Sequence, residues 1–151
     1  MGSSTAYWYV QNRIVFVHNF GDLSANDFRE VDKQISAFMK EAHESRVSEK
    51  IHVFVDSTEM GKLPRFTELE GGRILKYMKE QNCGCTIVVG YRNNPMLSIL
   101  SRLLTSIMRV DLYMADTLSK GVSYVKQIDS TLSDLPDVEQ WKQENVSVTS
   151  K

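Results

Sequence analysis

Two apolar runs open the chain and are separated by a short polar break. The first run covers 6–10 and the second 14–21, and both are rich in aromatic and β-branched residues. Gln11, Asn12 and Arg13 form the break between them. This pattern predicts a β-hairpin that ends at Gly21.

Apolar residues then recur at helical spacing in four segments, and each segment follows a residue that caps helices well. The predicted helices cover 25–43, 67–81, 95–109 and about 117–129. Their predicted caps are Ser24, Thr67 in a capping box with Glu70, Asn94 followed by Pro95, and Asp116 or Thr117.

Three nearly continuous apolar runs alternate with these helices, at 51–55, 83–91 and 111–115. Such runs are typical of strands covered on both faces. The order β-β-α-β-α-β-α-β-α predicts an α/β fold. In it, an antiparallel N-terminal hairpin is followed by three βα crossovers in one mixed, helix-covered sheet.

The bulk composition is that of one ordinary globular domain. The chain has 151 residues, of which 42% are hydrophobic and 25% charged, and its formal net charge is −1. We therefore expect no nucleic-acid partner, since such partners need a concentrated basic surface. The expected organisation is a leader at 1–5, a domain at 6–130, and a polar C-terminal tail at 131–151 with a short helix at 137–144.

The two cysteines, Cys83 and Cys85, share a predicted strand and, at this spacing, one face of it. Their backbones are poorly placed for a disulfide, and no further Cys or His cluster completes a zinc site. We expect two structural thiols, no metal, no cofactor and a reducing, cytoplasmic location. The sequence has no run of about 18 apolar residues, so we expect no transmembrane segment.

Three short motifs mark the ends of predicted elements. Phe-Gly-Asp-Leu at 20–23 closes the hairpin, Val-Phe-Val-Asp at 53–56 closes an apolar strand, and Thr-Leu-Ser-Lys-Gly-Val at 117–122 opens the last helix. With the order of elements over about 6–130, they resemble the STAS domain family of sulfate-transporter cytoplasmic domains and anti-sigma-factor antagonists. The resemblance implies a STAS-like fold and a signalling role through protein partners.

The chain departs from that family where its phosphorylation switch lies. Switchable members carry Asp-Ser-Ser/Thr-Gly at the start of the second helix, whereas this chain has Lys-Leu-Pro-Arg-Phe-Thr-Glu-Leu-Glu-Gly at 62–71. Thr67, near Lys62 and Arg65, is a candidate phosphorylation site, and capping the helix is its alternative role. The departure resembles the divergent antagonist-like branch that is grouped with lipid-binding CRAL-TRIO proteins.

Asp56 and Ser57 follow the carboxyl end of a central strand, where α/β proteins bind ligands. They form a candidate ligand or partner surface, and the alternative for Asp56 is a turn or capping role. The three histidines are spread over separate predicted elements, and the sequence has no Gly-x-Ser-x-Gly elbow or phosphate loop. We therefore predict no catalytic residues.

The predicted helix 95–109 has an apolar face wider than the usual core stripe. It is either fully covered or presents its surplus face to a partner, a second copy or a lipid. Its residues in the candidate surface are Leu97, Leu100, Leu104 and Met108, and the hairpin adds Trp8. The alternatives for the hairpin aromatics are core packing and a dimer seam.

These patterns favour a non-enzymatic regulatory or binding module that acts by protein–protein association and forms a homodimer. The alternative is a carrier of a small apolar ligand or lipid, held in a pocket between 95–109 and the sheet.

Overall fold

The structure, a computed structural model, describes residues 2–65, 68, 75–90, 92, 94–108 and 111–146, with the backbone alone at 104, 107 and 108. Its strands are Ser3–Val10 (β1), Ile14–Gly21 (β2), Ile51–Met60 (β3), Cys83–Val89 (β4) and Leu112–Ala115 (β5). Its α-helices are Ala25–Glu44 (α1), Pro95–Met108 (α2), Leu118–Ile128 (α3) and Val138–Asn145 (α4).

All five strands form one sheet in chain order, β1-β2-β3-β4-β5. β1 and β2 pair antiparallel, and the remaining neighbours pair parallel. The predicted mixed sheet is therefore confirmed. Since β2 to β5 run in one direction, their carboxyl ends share one edge of the sheet, where His18 pairs with Asp56.

Helices cover both faces of the sheet, because successive strand residues point to opposite sides. On one face, α1 and α2 bury Val31, Ile35, Met39, Leu97 and Leu100 against strand residues such as Val17, Val53 and Val88. On the other face, α3 and α4 bury Leu118, Val125 and Val138 against Phe16, Phe54 and Ile87.

The predicted helix starts are confirmed for α1, α2 and α3. The Ser24 hydroxyl accepts a hydrogen bond from the Asp27 N–H at 3.2 Å, and the Asp27 carboxylate accepts one from the Ser24 N–H at 2.7 Å, which completes a capping box. Thr117 accepts from the Lys120 N–H at 3.1 Å. The Asn94 side chain accepts from the Met96 N–H at 3.3 Å, beside Pro95.

The predicted helix 67–81 is wrong over its described part. Leu75 has a left-handed backbone with φ 63°, and Lys76–Lys79 form a single 3-10 turn. The cause is tertiary, because the Tyr77 N–H donates to the Asp32 carboxylate of α1 at 3.0 Å and the Tyr77 ring is fully buried. These contacts override the helical periodicity of the segment.

The folded part of the chain extends beyond the predicted boundaries of two strands and of the domain. β3 continues to Met60, into the segment 57–65 that was predicted as a loop, and β1 begins at Ser3 rather than after residue 5. Within the predicted tail, α4 matches the short helix expected at 137–144, and Leu132, Val138 and Val146 are buried in the core. The described part of the tail therefore packs on the sheet.

β1 is an edge strand of the sheet, and α1 covers part of its outer edge. The Ala6 N–H donates to the side-chain oxygen of Gln34 at 2.9 Å. A backbone group in the middle of the strand is therefore already hydrogen-bonded without a neighbouring strand.

α3 approaches β3 most closely at Gly121, where an added Cβ would overlap the Phe54 ring and crowd Ile87. Overpacking of this kind costs about 1–3 kcal/mol, whereas Ala gains about 1 kcal/mol over Gly inside a helix. We expect Gly121→Ala to lower the free energy of unfolding by about 1 kcal/mol in urea titrations. Ser123→Ala changes the exposed face of α3, so it measures the effect of helix propensity alone and should not destabilise the protein. Equal stability of the two variants would contradict the close contact between Gly121 and Phe54.

Candidate functional site

Charged side chains meet α4 at the carboxyl ends of β2 and β3. Asp56 is completely buried, and its Oδ2 lies 2.7 Å from the Lys142 Nζ of α4. The same Nζ lies 2.8 Å from Oε1 of Glu59. Asp56 Oδ1 accepts hydrogen bonds from the N–H and the hydroxyl of Thr58, at 3.1 and 2.7 Å. Lys142 therefore joins two carboxylates through one cation.

The hydrogen bonds of Lys142 shift the pKa values of Glu59 and of Lys142 itself towards their charged forms. The bond from Lys142 lowers the pKa of Glu59 below its ordinary value and outweighs burial. Burial by itself would lower the pKa of Lys142, but its bonds to Asp56 and Glu59 raise it instead. The result is a cation held between two acceptors.

His18 borders this group without being fully bonded. Its side chain is 5% exposed, and its Nε2 lies 3.6 Å from Glu59 Oε1, which is beyond hydrogen-bond distance. No residue in the described ranges forms a hydrogen bond with that nitrogen. We call His18, Asp56, Glu59 and Lys142 the Lys142 cluster.

Trp141, the residue before Lys142, enters an aromatic pocket on the same face. Its ring centroid lies 5.0 Å from that of Phe16, 5.1 Å from Tyr9 and 6.3 Å from Tyr7. The Tyr9 hydroxyl donates to the carbonyl of Pro136, just before α4, and burial raises the pKa of Tyr9 to about 12. We call Tyr7, Tyr9 and Phe16 the Trp141 pocket.

Asp56 and Ser57, predicted as one candidate surface, lie on opposite faces and are both buried, because strand neighbours alternate. Ser57 faces the α1 and α2 side and accepts a hydrogen bond from Asn19 Nδ2 at 3.1 Å. Ser57 and Asn19 border a cavity of about 60 Å³ beneath α2, which Leu97, Leu100 and Ser101 also line. Typical ligand pockets have volumes of about 300–1,000 Å³.

α2 buries two of its four predicted surface residues, and the other two are not described. Leu97 and Leu100 face the sheet and are buried, and the side chains of Leu104 and Met108 lie outside the described part. Trp8 is half-buried against Phe38 of α1, at 4.9 Å between ring centroids. Among the side chains of α2 that the structure describes, the exposed large apolar ones are Met96, Ile99 and Leu103, which we call the α2 stripe. Their i, i+3, i+7 spacing is the signal that could have identified them.

Thr67 lies outside the described residues, and its phosphorylation stays a prediction. Lys62 and Arg65, its predicted basic neighbours, line an open groove of about 680 Å³ with Asn94 and Pro95 at the start of α2.

A second polar group, missed by the sequence analysis, lies at the amino end of the sheet. His52 Nδ1 accepts a hydrogen bond from the Cys85 N–H at 3.1 Å, so Nε2 carries the proton and donates to Asp129 Oδ2 at 2.8 Å. Arg13 donates to the same oxygen at 2.8 Å. We call Arg13, His52, Cys85 and Asp129 the His52 cluster, and it ties β2, β3 and β4 to the end of α3.

The two cysteines do not share a face, contrary to the prediction. Residues 83–86 of β4 pair opposite 51–53 of β3, so β4 contains one extra residue, a β-bulge. Cys83 packs on the α1 side and Cys85 on the α3 side. Gly84 lies between the two cysteines, and a Cβ at this position would overlap the His52 ring. The bulge, with glycine at this position, therefore leaves space for the imidazole.

Cys85, His52 and Asp129 have the residue types of a thiol catalytic array, with Sγ 3.3 Å from Nδ1. Cys85, however, is 3% exposed, and burial raises its pKa to about 11. Burial likewise raises the pKa of Cys83 to about 12. Neither thiol has both the thiolate form and the access that a nucleophile requires.

No metal-ligand group of three or more His, Cys, Asp or Glu occurs in the described ranges. None of the described helices is long and apolar enough to cross a bilayer.

Both thiols should be unreactive in the folded protein. At pH 8, a rise in pKa from 9 to about 11 lowers the thiolate fraction of Cys85 by about 100-fold. We expect Ellman's reagent to titrate two thiols rapidly in guanidinium chloride and at least about 100-fold more slowly in native buffer. Glutathione at the same pH serves as the control, and rapid native reaction would show that the site opens.

Asp129 should stabilise the fold only above acidic pH. Burial by itself would raise its pKa, but hydrogen bonds from His52 and Thr131 and the charge of Arg13 outweigh burial and lower it to about 2. The stabilisation is present above the unfolded value near 3.8 and is lost as the pH falls towards 2. Asp129→Asn should therefore be less stable than the wild type at pH 6 in urea unfolding, and the difference should shrink towards pH 2. A pH-independent difference would contradict the charge effect.

The comparisons with known proteins bear on the fold. No protein-family model matches the chain, and no curated protein sequence matches it. It is similar to the crystal structure of an uncharacterised DUF3478-family protein with a SpoIIAA-like fold from Shewanella loihica PV-4, at 13% identity and a TM-score of 0.51, over 82% of this chain and 92% of that one. It also matches the anti-sigma factor antagonist SpoIIAA in its unphosphorylated form, at 14% identity and a TM-score of 0.46, over 83% and 97%. With its mixed five-stranded sheet, the chain has a SpoIIAA-like, and hence STAS-like, fold.

Proposed function

We propose that the chain is a non-enzymatic regulatory or binding module that acts by protein–protein association, and that it forms a homodimer through the α2 stripe. The observation that carries this proposal is the exposure of Met96, Ile99 and Leu103, at 44%, 45% and 40%. They are three of the five large hydrophobic residues that are exposed in the described ranges, and they share one helix. Apolar residues grouped in this way mark association surfaces.

A second copy fits the α2 stripe because of its symmetry and charge. A two-fold axis across the helix brings Ile99 of one copy near Ile99 of the other, so a stripe of this kind is self-complementary. The one charged residue within Pro95–Met108 is Arg102, next to Leu103. Burying the stripe therefore removes apolar surface from water without burying many charges.

Neither of the two thiols is an accessible nucleophile, and this favours association over catalysis. In the described ranges, the Cys85, His52 and Asp129 array is the arrangement nearest to a catalytic one, and its thiol is buried and protonated. A cytoplasmic location agrees with the two free thiols, since secreted proteins usually oxidise theirs. A signalling role is the function that we assign to the association.

The alternative, a carrier of an apolar ligand beneath α2, has less support. The cavity there has about 60 Å³, and Asn19, Ser57, Thr86 and Ser101 add polar groups to its lining. A lipid chain would need the helix to move away from the sheet.

Ile99→Lys tests the α2 stripe. Two copies would then place an added charge at an apolar contact, which should raise the dimer dissociation constant by about 30-fold or more, as for a strong interface residue. Light scattering after size-exclusion chromatography, over a range of protein concentrations, gives that constant. The matched control is Ile128→Lys, since Ile128 of α3 has a similar exposure of 42%. A monomeric wild type, or equal loss in both variants, would overturn the proposal.

A further inference from the structure

We propose that the Trp141 pocket and the acidic side chains of the Lys142 cluster form a binding site for a partner segment in which an aromatic residue is followed directly by Lys or Arg. α4 occupies this site in the structure and excludes the partner. The site lies on the opposite face of the sheet from α2, so the inference does not rest on the α2 stripe.

The chemistry of the covered surface defines the ligand class. Without α4, the surface would offer the three rings of Tyr7, Tyr9 and Phe16 beside the carboxylates of Asp56 and Glu59. Aromatic walls accept a large flat side chain, and paired carboxylates accept a cation. Trp141 occupies the aromatic part of this surface and Lys142 the acidic part, so two consecutive residues of one segment can reach both.

α4 has few means of holding its place. It has eight residues, and helices this short are not stable in water on their own. Its polar residues other than Lys142 face solvent, and a connection of nine residues, 129–137, joins it to α3. The contacts that keep it on the sheet are the two side chains of the site, the apolar Val138 and Val146, and the bond from the Tyr9 hydroxyl to the carbonyl before the helix. A competing segment therefore needs to replace a small set of contacts.

α4 is also an incomplete match for the site. His18 Nε2 is buried 3.6 Å from Glu59, and no residue in the described ranges forms a hydrogen bond with it. A buried polar atom left in this way is unfavourable. A partner that contributes one further polar group next to its cation can bond with that nitrogen and gains over α4. Arg suits the pair of carboxylates especially well, because its guanidinium presents several donors at once.

The test uses the full-length chain and a labelled peptide probe with the sequence of residues 136–146. In the wild type, α4 competes at the millimolar effective concentrations typical of tethered segments, so the probe should bind weakly. In Trp141→Ala/Lys142→Ala the competition is lost. Fluorescence anisotropy should then show at least tenfold tighter binding of the probe.

Three controls define the result. Gln143→Ala changes the exposed face of α4 and should bind the probe as weakly as the wild type. A probe with Ala in place of both anchor residues should not bind the double variant. Lys142→Gln keeps the Trp141 contacts, so it tests the site if circular dichroism shows that the double variant is unfolded, and it should bind the probe several-fold more tightly than the wild type.

The proposal is overturned if folded Lys142→Gln binds the probe no more tightly than the wild type. It is equally overturned if the probe lacking both anchors binds as well as the intact probe.

Discussion

The buried carboxylate of Asp56 is the constraint on which this arrangement of elements depends. A charge with no exposed surface is tolerated only when a partner of opposite charge reaches it. Lys142 is that partner, at 2.7 Å, and it comes from the last described helix. The C-terminal segment is therefore needed to balance the buried charge on a central strand. The same placement brings Trp141 into its pocket, because Trp141 precedes Lys142 in α4.

Two polar clusters lie at opposite ends of the sheet and hold their charged groups in different ways. In the His52 cluster, Asp129 accepts from His52 and Arg13, and the remaining imidazole nitrogen accepts from a backbone N–H. These bonds fix the strands to one another, although Arg13 Nε is buried without a hydrogen bond in the described ranges. The Lys142 cluster leaves a histidine nitrogen unbonded at the edge where parallel sheets usually bind ligands.

Local patterns were sufficient to predict the order of the main elements, because each depends on neighbouring residues. Ser24 with Asp27, and Asn94 with Pro95, mark helix starts that the structure confirms. The segment before β4 could not be predicted in the same way, since Asp32 of α1 sets the conformation of Tyr77 across 45 positions. The candidate site was the harder case. Asp56 was visible at a strand end, but its pairing with Lys142 joins residues that have no local relation in the sequence.

The bond between Gln34 and the Ala6 N–H has a consequence for how copies of this protein can meet. An edge strand of eight residues is a template for adding further strands, and unlimited addition of this kind gives fibrils. An incoming strand would first have to displace the Gln34 amide from the middle of β1. Growth of the sheet from chain to chain at β1 is thereby hindered.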